Sequence, residues 1–399
     1  MEKIIVLCNK SPFPNIDGGT AATKSLIDGL LQAGYAIHAL IFDTYKHPLK
    51  PELLFPEWEN KAFSFDPISV DTHIDISKLL KNLLFEKESL HISRVQLPEV
   101  SKQIIKACEK FEPDFLVLDG LFAMAQIPAL SHLNIPMVYR AHNVESEIWE
   151  KLARESKPAK KFYLSIMAKR LKNFEKKLAL YPTMVWAISP NTADFFRGLK
   201  LAVELIYPSV QLPENERIRS FPKNGHFSLF HIGAMNWQPN LEAVDYFVHA
   251  FLPELSRHFP HAVFYAGGRH FPMNRYEVSA HFKVVGEVPS YADFVKDKDL
   301  LVVPLKSGSG IRMKIVETMA LGIPVLSTRA GMDGIPAIEG QHFLPFSNPS
   351  DFLEAIARLH EEPELYGNLA KAAKDLVATH FALHEQSKQM KEALDKWKN

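Results

Sequence analysis

Short apolar runs rich in β-branched residues alternate along the chain with longer amphipathic stretches. In the first half the runs are IIVLC, AIHALIF, FLVLDG and PMVYRAH, and a helix is expected over about Ala21–Ala33 between the first two. Strands separated by helices imply βαβ units, and these imply a parallel sheet covered on both faces. The second half repeats the grammar with FSLFHIG, AVFYAGG, FKVVGEV, DLLVVPL and IPVLST, and with a helix near Asn240–Arg257. Between the halves, Tyr207–Gly225 carries Pro208, Pro213 and Pro222 among scattered charges and reads as a linker. The pattern predicts an α/β chain of two Rossmann-like parallel-sheet domains, 1–208 and 209–382, facing across a cleft. The uncharged run Gly120–Tyr139 reaches the length of a membrane span, but Gln126, Pro128, His132, Asn134 and Pro136 interrupt it. It is expected to be strand end, helix and strand.

Ligands of such sheets bind at the carboxyl ends of strands, and three glycine-bearing segments follow strands: Gly18–Gly19, Gly233 and Gly308–Gly310. The last lies in SGSGIRMKIVETMALGIPVLST. Gly308 and Gly310 let a ligand approach the backbone, and a helix expected to open at about Ile311 offers unpaired N–H groups and the positive end of its dipole. Arg312, a planar fork, and Lys314, a point charge, suit phosphate oxygens. Glu317, one to two turns further on, can accept hydrogen bonds from ribose hydroxyls. A nucleoside diphosphate fits this set. The alternative is a solvated helix start on an ordinary connection.

Three other groups carry candidate chemistry. Asp17, Gly18, Gly19 and Thr20 do not have the spacing of the dinucleotide fingerprint, so by themselves they are either a tight turn capped by Thr20 or a phosphate-facing loop. His142 follows the strand MVYRA and is placed to donate to a phosphate or sugar hydroxyl, with Glu145 beside it as a second candidate or a first-turn acid complementing a helix dipole. Asp297, Lys298 and Asp299 form a D-x-D that could hold a metal, but they precede the strand LLVVPL at its amino end, away from where ligands bind. No metal site is therefore expected.

Composition narrows the class. With 399 residues, 47% of them hydrophobic and 23% charged, the chain can bury two sizeable cores. Its formal net charge of zero gives no global field for nucleic acid. Two cysteines, Cys8 and Cys108, suit small core positions in a reducing compartment, and the first apolar run is too short for a signal peptide. A cytoplasmic protein is expected. Locally, 151–180 holds ten Lys or Arg against Glu155 and Glu175, with Phe162, Ile166, Leu171, Phe174 and Leu178 at near-helical spacing. That stretch is either a surface for anionic lipid or an amphipathic helix packed on its own domain.

The landmarks PFPNIDGGTAATKSLIDGLLQAGYAIHAL, YRAHNVES, FHIGAMNWQPN, VVGEVPSYADF and SGSGIRMKIVETMALG, in that order, resemble the GT-B glycosyltransferases, specifically the large retaining, GT4-like group 1 family. The resemblance covers most of the chain. One departure stands out: of the family's two glutamates separated by seven residues, the earlier position falls on Ser309 and only Glu317 is present, as in a subgroup with GSG-x-R-x-K in that place. The resemblance implies a GT-B fold completed by a C-terminal helix, about 383–399, that returns to the first domain. It implies a UDP- or GDP-linked sugar donor as substrate, no separate cofactor, and a glycan, lipid-linked or other polar acceptor in bacterial surface polysaccharide synthesis. Gly18, Gly19, Gly233, Asn236, Ser309, Gly310, Arg312, Lys314 and Glu317 would hold the donor, with His142, Arg312 and Lys314 acting in catalysis. Retention without a covalent intermediate is implied, although the residues themselves leave open inversion with His142 or Glu145 as base. A nucleotide-sugar epimerase of the same fold and a non-catalytic assembly scaffold remain as alternatives.

Overall fold

In the computed structural model, which describes residues 1–13, 18–45, 47–50, 52, 58–59, 61–181, 183–213, 220–306 and 310–398, the apolar runs become the strands of two parallel sheets. Contacts divide the chain into one unit of Met1–Ser209 with Leu383–Asn399 and a second of Val210–Ala382.

Unit 1 holds β1 (Lys3–Cys8), β2 (Ala36–Thr44), β3 (Phe63–Val70), β4 (Phe115–Asp119), β5 (Met137–Ala141), β6 (Thr183–Ala187) and β7 (Ala202–Leu205). Their spatial order is β3-β2-β1-β4-β5-β6-β7, so chain direction across the sheet reverses between β1 and β4. Both faces are covered, as the unbroken apolar runs require. Ile5 and Leu7 join one core with Leu116, Leu118 and Tyr139, whereas Ile4, Val6 and Cys8 face a second core with Val117 and Trp186. Four helices of this unit matter below: α1 (Gly18–Gln32), α2 (Ile76–Phe85), α3 (Glu145–Arg154) and α4 (Pro158–Lys177). Gly120–Tyr139 folds into short helical turns ending in β5, all of it within the unit.

The basic stretch is not one amphipathic helix but two, α3 and α4, separated ahead of Pro158. Leu164, Met167, Leu171 and Phe174 form the buried stripe of α4, together with Leu178 just past its end. Phe162, expected on that stripe, is instead 65% exposed, because it lies about 100° round the helix from its neighbours at 161 and 163 and away from the buried ridge.

Unit 2 holds β8 (Ser228–Ile232), β9 (Val263–Gly267), β10 (Phe282–Gly286), β11 (Leu300–Val303), β12 (Val325–Ser327) and β13 (Leu344–Pro345), in the order β10-β9-β8-β11-β12-β13. Direction reverses here between β8 and β11. Its core is packed with phenylalanine: Phe247 lies 4.0 Å from Phe264 and 5.5 Å from Phe352, ring centre to ring centre. The helix expected over Asn240–Arg257 is divided into α5 (Gln238–Tyr246), a π-helical turn at Phe247–Phe251 and a short helix at Leu252–His258. Pro253 explains the division, since it has no N–H to donate and its ring crowds the carbonyl four residues back. The helix expected to open at about Ile311 opens two residues later as α6 (Met313–Ala320), with Arg312 as its cap residue.

The last helix, α7 (Leu383–Lys398), packs on α1 within unit 1. Ser25 Oγ accepts from the Ser209 N–H at 2.7 Å and from Gln386 Nε2 at 2.9 Å, and Gln386 Nε2 also donates to the Tyr207 carbonyl at 3.0 Å. Gly29 permits this approach, because a Cβ there would meet Gln386 Oε1 at 2.9 Å.

In unit 2 the tightest backbone packing joins the ends of β8 and β9. Gly268 has φ +124°, and a Cβ on it would lie 2.0 Å from the Gly233 carbonyl oxygen, a backbone atom with no room to move. Gly268→Ala is expected to destabilise the unit by about 3 kcal/mol in denaturant unfolding of the full chain. A loss below about 1 kcal/mol would show that the two strand ends are not locked together in this way.

Candidate active site

Parallel sheets open a crevice where strand order reverses, because the connections on either side leave in opposite directions. Each unit has its polar, buried chemistry at that point.

In unit 1 the centre is Asp119, the last residue of β4, which is fully buried. Its Oδ1 accepts from His142 Nε2 at 2.6 Å and from Arg140 Nη1 at 3.1 Å, while Oδ2 accepts from Thr23 Oγ1 on α1 at 2.6 Å. Arg140, also fully buried, donates from the same Nη1 to the Ala22 carbonyl at 3.0 Å. Burial opposes the charge on Asp119, but the His142 ring, the Arg140 guanidinium and the Thr23 hydroxyl hold the carboxyl well below the usual range. His142 lies just past β5 with its side chain partly exposed. Asp119 fixes the ring through Nε2 and leaves Nδ1 as the nitrogen able to meet a substrate. Gly18 and Gly19 open α1, and the Gly19 carbonyl lies 3.2 Å from Thr23 Oγ1, so these glycines adjoin the cluster through Thr23. Asp17 lies outside the described residues.

Glu145 begins α3 at the end of the same segment. The opening N–H groups of α3 donate to a carboxylate from α4: Glu175 Oε1 accepts from the Glu145 N–H at 2.8 Å and the Ser146 N–H at 3.3 Å, and Oε2 from the Ser146 hydroxyl at 2.5 Å. Glu175 thus caps α3 from another helix. Burial, and then the charge of Glu175, pushes the Glu145 carboxyl up to about 7.

In unit 2 the centre is Lys314, in the first turn of α6. Its Nζ donates to the Ile232 carbonyl at 2.6 Å and to Asn240 Oδ1 at 3.1 Å, and lies 3.3 Å from His231 Nε2. His231 is fully buried, and its Nδ1–H donates to the Val302 carbonyl at 2.8 Å, which leaves Nε2 with a lone pair toward the ammonium. The lysine therefore joins α6 to the ends of β8 and β11. Burial, followed by the neighbouring Arg312 charge, lowers the ammonium to about 7. Arg312 is itself buried, donates to the Gly310 carbonyl, and stacks with its guanidinium carbon 5.5 Å from the Trp237 ring centre. Glu317 stands one turn further along α6, and burial raises its carboxyl. Tyr291 packs against the same helix and donates to the Lys314 carbonyl at 3.1 Å.

The structure thus brings Gly233, Gly310, Arg312 and Lys314 together, with Glu317 on the same short helix. Ser309 and Gly308 lie outside the described residues. Asn236 is exposed in the turn ahead of α5, and Asn240 takes the place in the cluster, because only the first turn of the helix reaches back over Gly233. A Cβ on Gly233 would meet the Asn240 amide at 2.3 Å, so this glycine is needed for packing within the protein. Asp297 and Asp299 precede β11 at its amino end: Asp297 pairs with Lys298 at 2.6 Å, and Asp299 Oδ2 accepts from the Ser228 N–H at 2.8 Å and its hydroxyl at 2.7 Å. Thr23, Asp119, Arg140, His231 and Asn240 had no place in the sequence expectation. The signal for three of them was present, namely a charged or imidazole residue inside an apolar strand run, which has to find a partner once buried.

Comparison with known proteins agrees with this architecture. Residues 226–362 match the family described as Glycosyl transferases group 1, a segment that contains β8 to β13, His231, Lys314 and Glu317. No curated protein sequence matches the chain. Among solved structures, sucrose-phosphate synthase from Thermosynechococcus elongatus is similar with a TM-score of 0.71 at 15% identity over 99% of each chain. HepE of Anabaena, in complex with UDP and glucose, is similar with a TM-score of 0.67 at 15% identity, covering 99% of this chain and 100% of that one. WaaG, a glycosyltransferase involved in lipopolysaccharide biosynthesis, reaches 0.63 at 15% identity over 98% and 99%. At such identities the likeness is one of fold. The two parallel-sheet units are those of a GT-B protein. The second unit carries the segment that matches the group 1 glycosyl transferases, and on that match the protein is a glycosyltransferase.

The raised Glu145 carboxyl has a consequence for stability. An acid whose folded value exceeds its unfolded value binds more protons in the folded state, so stability falls as pH rises from about 4.5 to about 7. Glu145→Gln removes that contribution. The variant is expected to exceed the parent in stability at pH 8 by about 2 kcal/mol and to lose part of the decline across that window. Identical pH profiles in urea titrations of the two proteins would contradict the burial-driven shift.

Proposed function

We propose that unit 2 holds the diphosphate of a nucleotide-sugar donor where β8 and β11 diverge, with Gly310, Arg312 and the opening turn of α6 facing the phosphates. The observation that carries this reading is the convergence of the buried Arg312, the Lys314 ammonium and a helix N-terminus on the carboxyl end of the sheet. As the bond to the sugar breaks, negative charge grows on the leaving phosphate, and fixed positive groups in a water-poor site stabilise that change more than they stabilise the bound donor. Lys314 contributes chiefly as a fixed charge behind the turn, since its hydrogen bonds go to Ile232 and Asn240. Arg312 is the cation better suited to direct contact. Glu317, whose carboxyl burial raises, accepts from the ribose diol.

On unit 1, His142 is the group placed to donate to a substrate oxygen, through Nδ1, with Asp119 setting its ring. The motif resemblance supports transfer with retention, without a metal, to a glycan, lipid-linked or other polar acceptor in surface polysaccharide synthesis. UDP is the favoured nucleotide of the two expected, because UDP and UDP-glucose are the ligands named for HepE.

Calorimetry with UDP, GDP and their sugars tests the donor site. Arg312→Ala and Glu317→Ala are each expected to weaken binding of the preferred nucleotide about 10-fold or more, the loss of one charge-assisted or buried hydrogen bond. Unchanged affinity in both variants would remove the assignment. Incubation of the intact protein with donor alone should leave the sugar unisomerised, and product should appear only with an acceptor.

A further inference from the structure

The clearest unexplained surface lies on unit 1, away from the polar clusters described above. Helix α2, ISKLLKNLLF, turns its largest apolar side chains outward: Ile76 is 76% exposed, Leu84 69% and Phe85 80%, with Leu80 between them. Ile76, Leu80 and Leu84 recur every four residues and so form one ridge along the helix, with Phe85 at its end. A soluble surface tolerates scattered apolar residues, but a continuous ridge of this kind marks a contact. The inward side of α2 is well anchored. Asp75 caps its start by accepting from the Lys78 N–H at 2.8 Å, and Arg170 of α4 donates to the Asn82 and Leu83 carbonyls at its end, each at 3.0 Å. The ridge is therefore held outward by the fold.

The neighbour of α2 supplies charge of one sign. Helix α4 carries seven Lys or Arg and a single acid, Glu175, which is buried as the cap of α3. Arg170 faces α2, Lys177 pairs with Glu88 past the end of that helix at 2.8 Å, and Lys172 pairs with Glu150 of α3 at 3.0 Å. Helix α4 thus lies beside α2 on one flank and α3 on the other. Between those flanks its outer positions include the exposed Lys169 and Lys176, together with exposed Phe162, while Lys161 lies on the α3 side.

We propose that the face formed by α2 and α4 docks on the surface of an anionic lipid bilayer, with the α2 ridge among the upper acyl chains and the α4 lysines on lipid phosphates. Charge complementarity selects this occupant. Long, flexible lysines around protruding aliphatic and aromatic tips suit a fluid array of phosphates over hydrocarbon. Protein interfaces, by contrast, are poor in lysine at their centres. The apolar element comes from α2, outside the basic stretch itself, whose Leu171, Phe174 and Leu178 are turned into the core. No helix among the described residues is long and apolar enough to cross a membrane, so the contact is peripheral. This inference is independent of the donor site.

Co-sedimentation of the full-length protein with vesicles tests it, using phosphatidylcholine alone or with about one-third phosphatidylglycerol. The parent should partition to the anionic vesicles, weakly to the neutral ones, and should be released by high salt. Two variants probe separate parts: Leu84→Ser with Phe85→Ser removes the ridge, and Lys169→Glu with Lys176→Glu reverses the charge. Each is expected to lower partitioning about 10-fold or more, while thermal unfolding and UDP binding stay at parental values. All substituted side chains are exposed, so folding is not expected to suffer. Failure of the parent to bind anionic vesicles would overturn the proposal, as would binding indifferent to both sets of substitutions. A parental dimer abolished by Leu84→Ser with Phe85→Ser in sedimentation equilibrium would assign the ridge to a second copy of the chain and overturn it as well.

Discussion

Lys314 places its ammonium among the Ile232 carbonyl, the Asn240 side-chain oxygen and the His231 ring, acceptors that carry no formal charge. Burying a cation without an acid partner is costly, and the cost appears as a lowered affinity for its proton. The fold retains this arrangement because the same contacts fasten α6 to β8 and, through the His231 bond to Val302, to β11. Arg312 adds a second cation at the same turn. The outcome is a strand end where an ammonium is held by neutral acceptors, beside a guanidinium whose charge Asp333 supports. Gly233 and Gly268 serve the same end by letting Asn240 and the β9 terminus close in on this point.

Unit 1 solves the equivalent problem in the opposite way. At its own reversal of strand order the buried centre is an anion, Asp119, and it is surrounded by Arg140, His142 and Thr23. Three elements, α1, β4 and β5, are thereby tied to one carboxylate. The arrangement is compact and balanced, and its outermost member is an imidazole with only one of its nitrogens committed to Asp119. A polar cluster built in this manner favours a fixed ring orientation over general stickiness for anions.

The alternation of strands and helices was legible in the sequence because a parallel sheet covered on both faces demands unbroken apolar runs, and IIVLC, FLVLD and LLVV are such runs. The donor-site candidates were legible for a related reason: Gly310, Arg312, Lys314 and Glu317 are close in sequence. Less could be read where distant segments meet. Asn240 reaches Lys314 across 74 positions and Thr23 reaches Asp119 across 96, and no local pattern encodes such pairs. Pro253 was visible, but whether the chain would bend, restart or pass through a π-helical turn depended on the phenylalanine cluster around it. The exposed ridge on α2 was hidden for another reason. Its composition is that of any amphipathic helix, and only the packing shows which side was left uncovered.

The junction of Ser25, Tyr207, Ser209 and Gln386 also sets an order of events during synthesis. Unit 2 is continuous in sequence, so it can complete its sheet as it leaves the ribosome. Unit 1 cannot, because α7 follows the whole of Val210–Ala382, and until it emerges the apolar side of α1, with Leu26, Ile27 and Leu30, lacks Met390, Ala393 and Leu394. The earlier-made half is thus the later one to mature, and it spends the translation of its companion with an open flank that a chaperone, or a premature neighbour, can find.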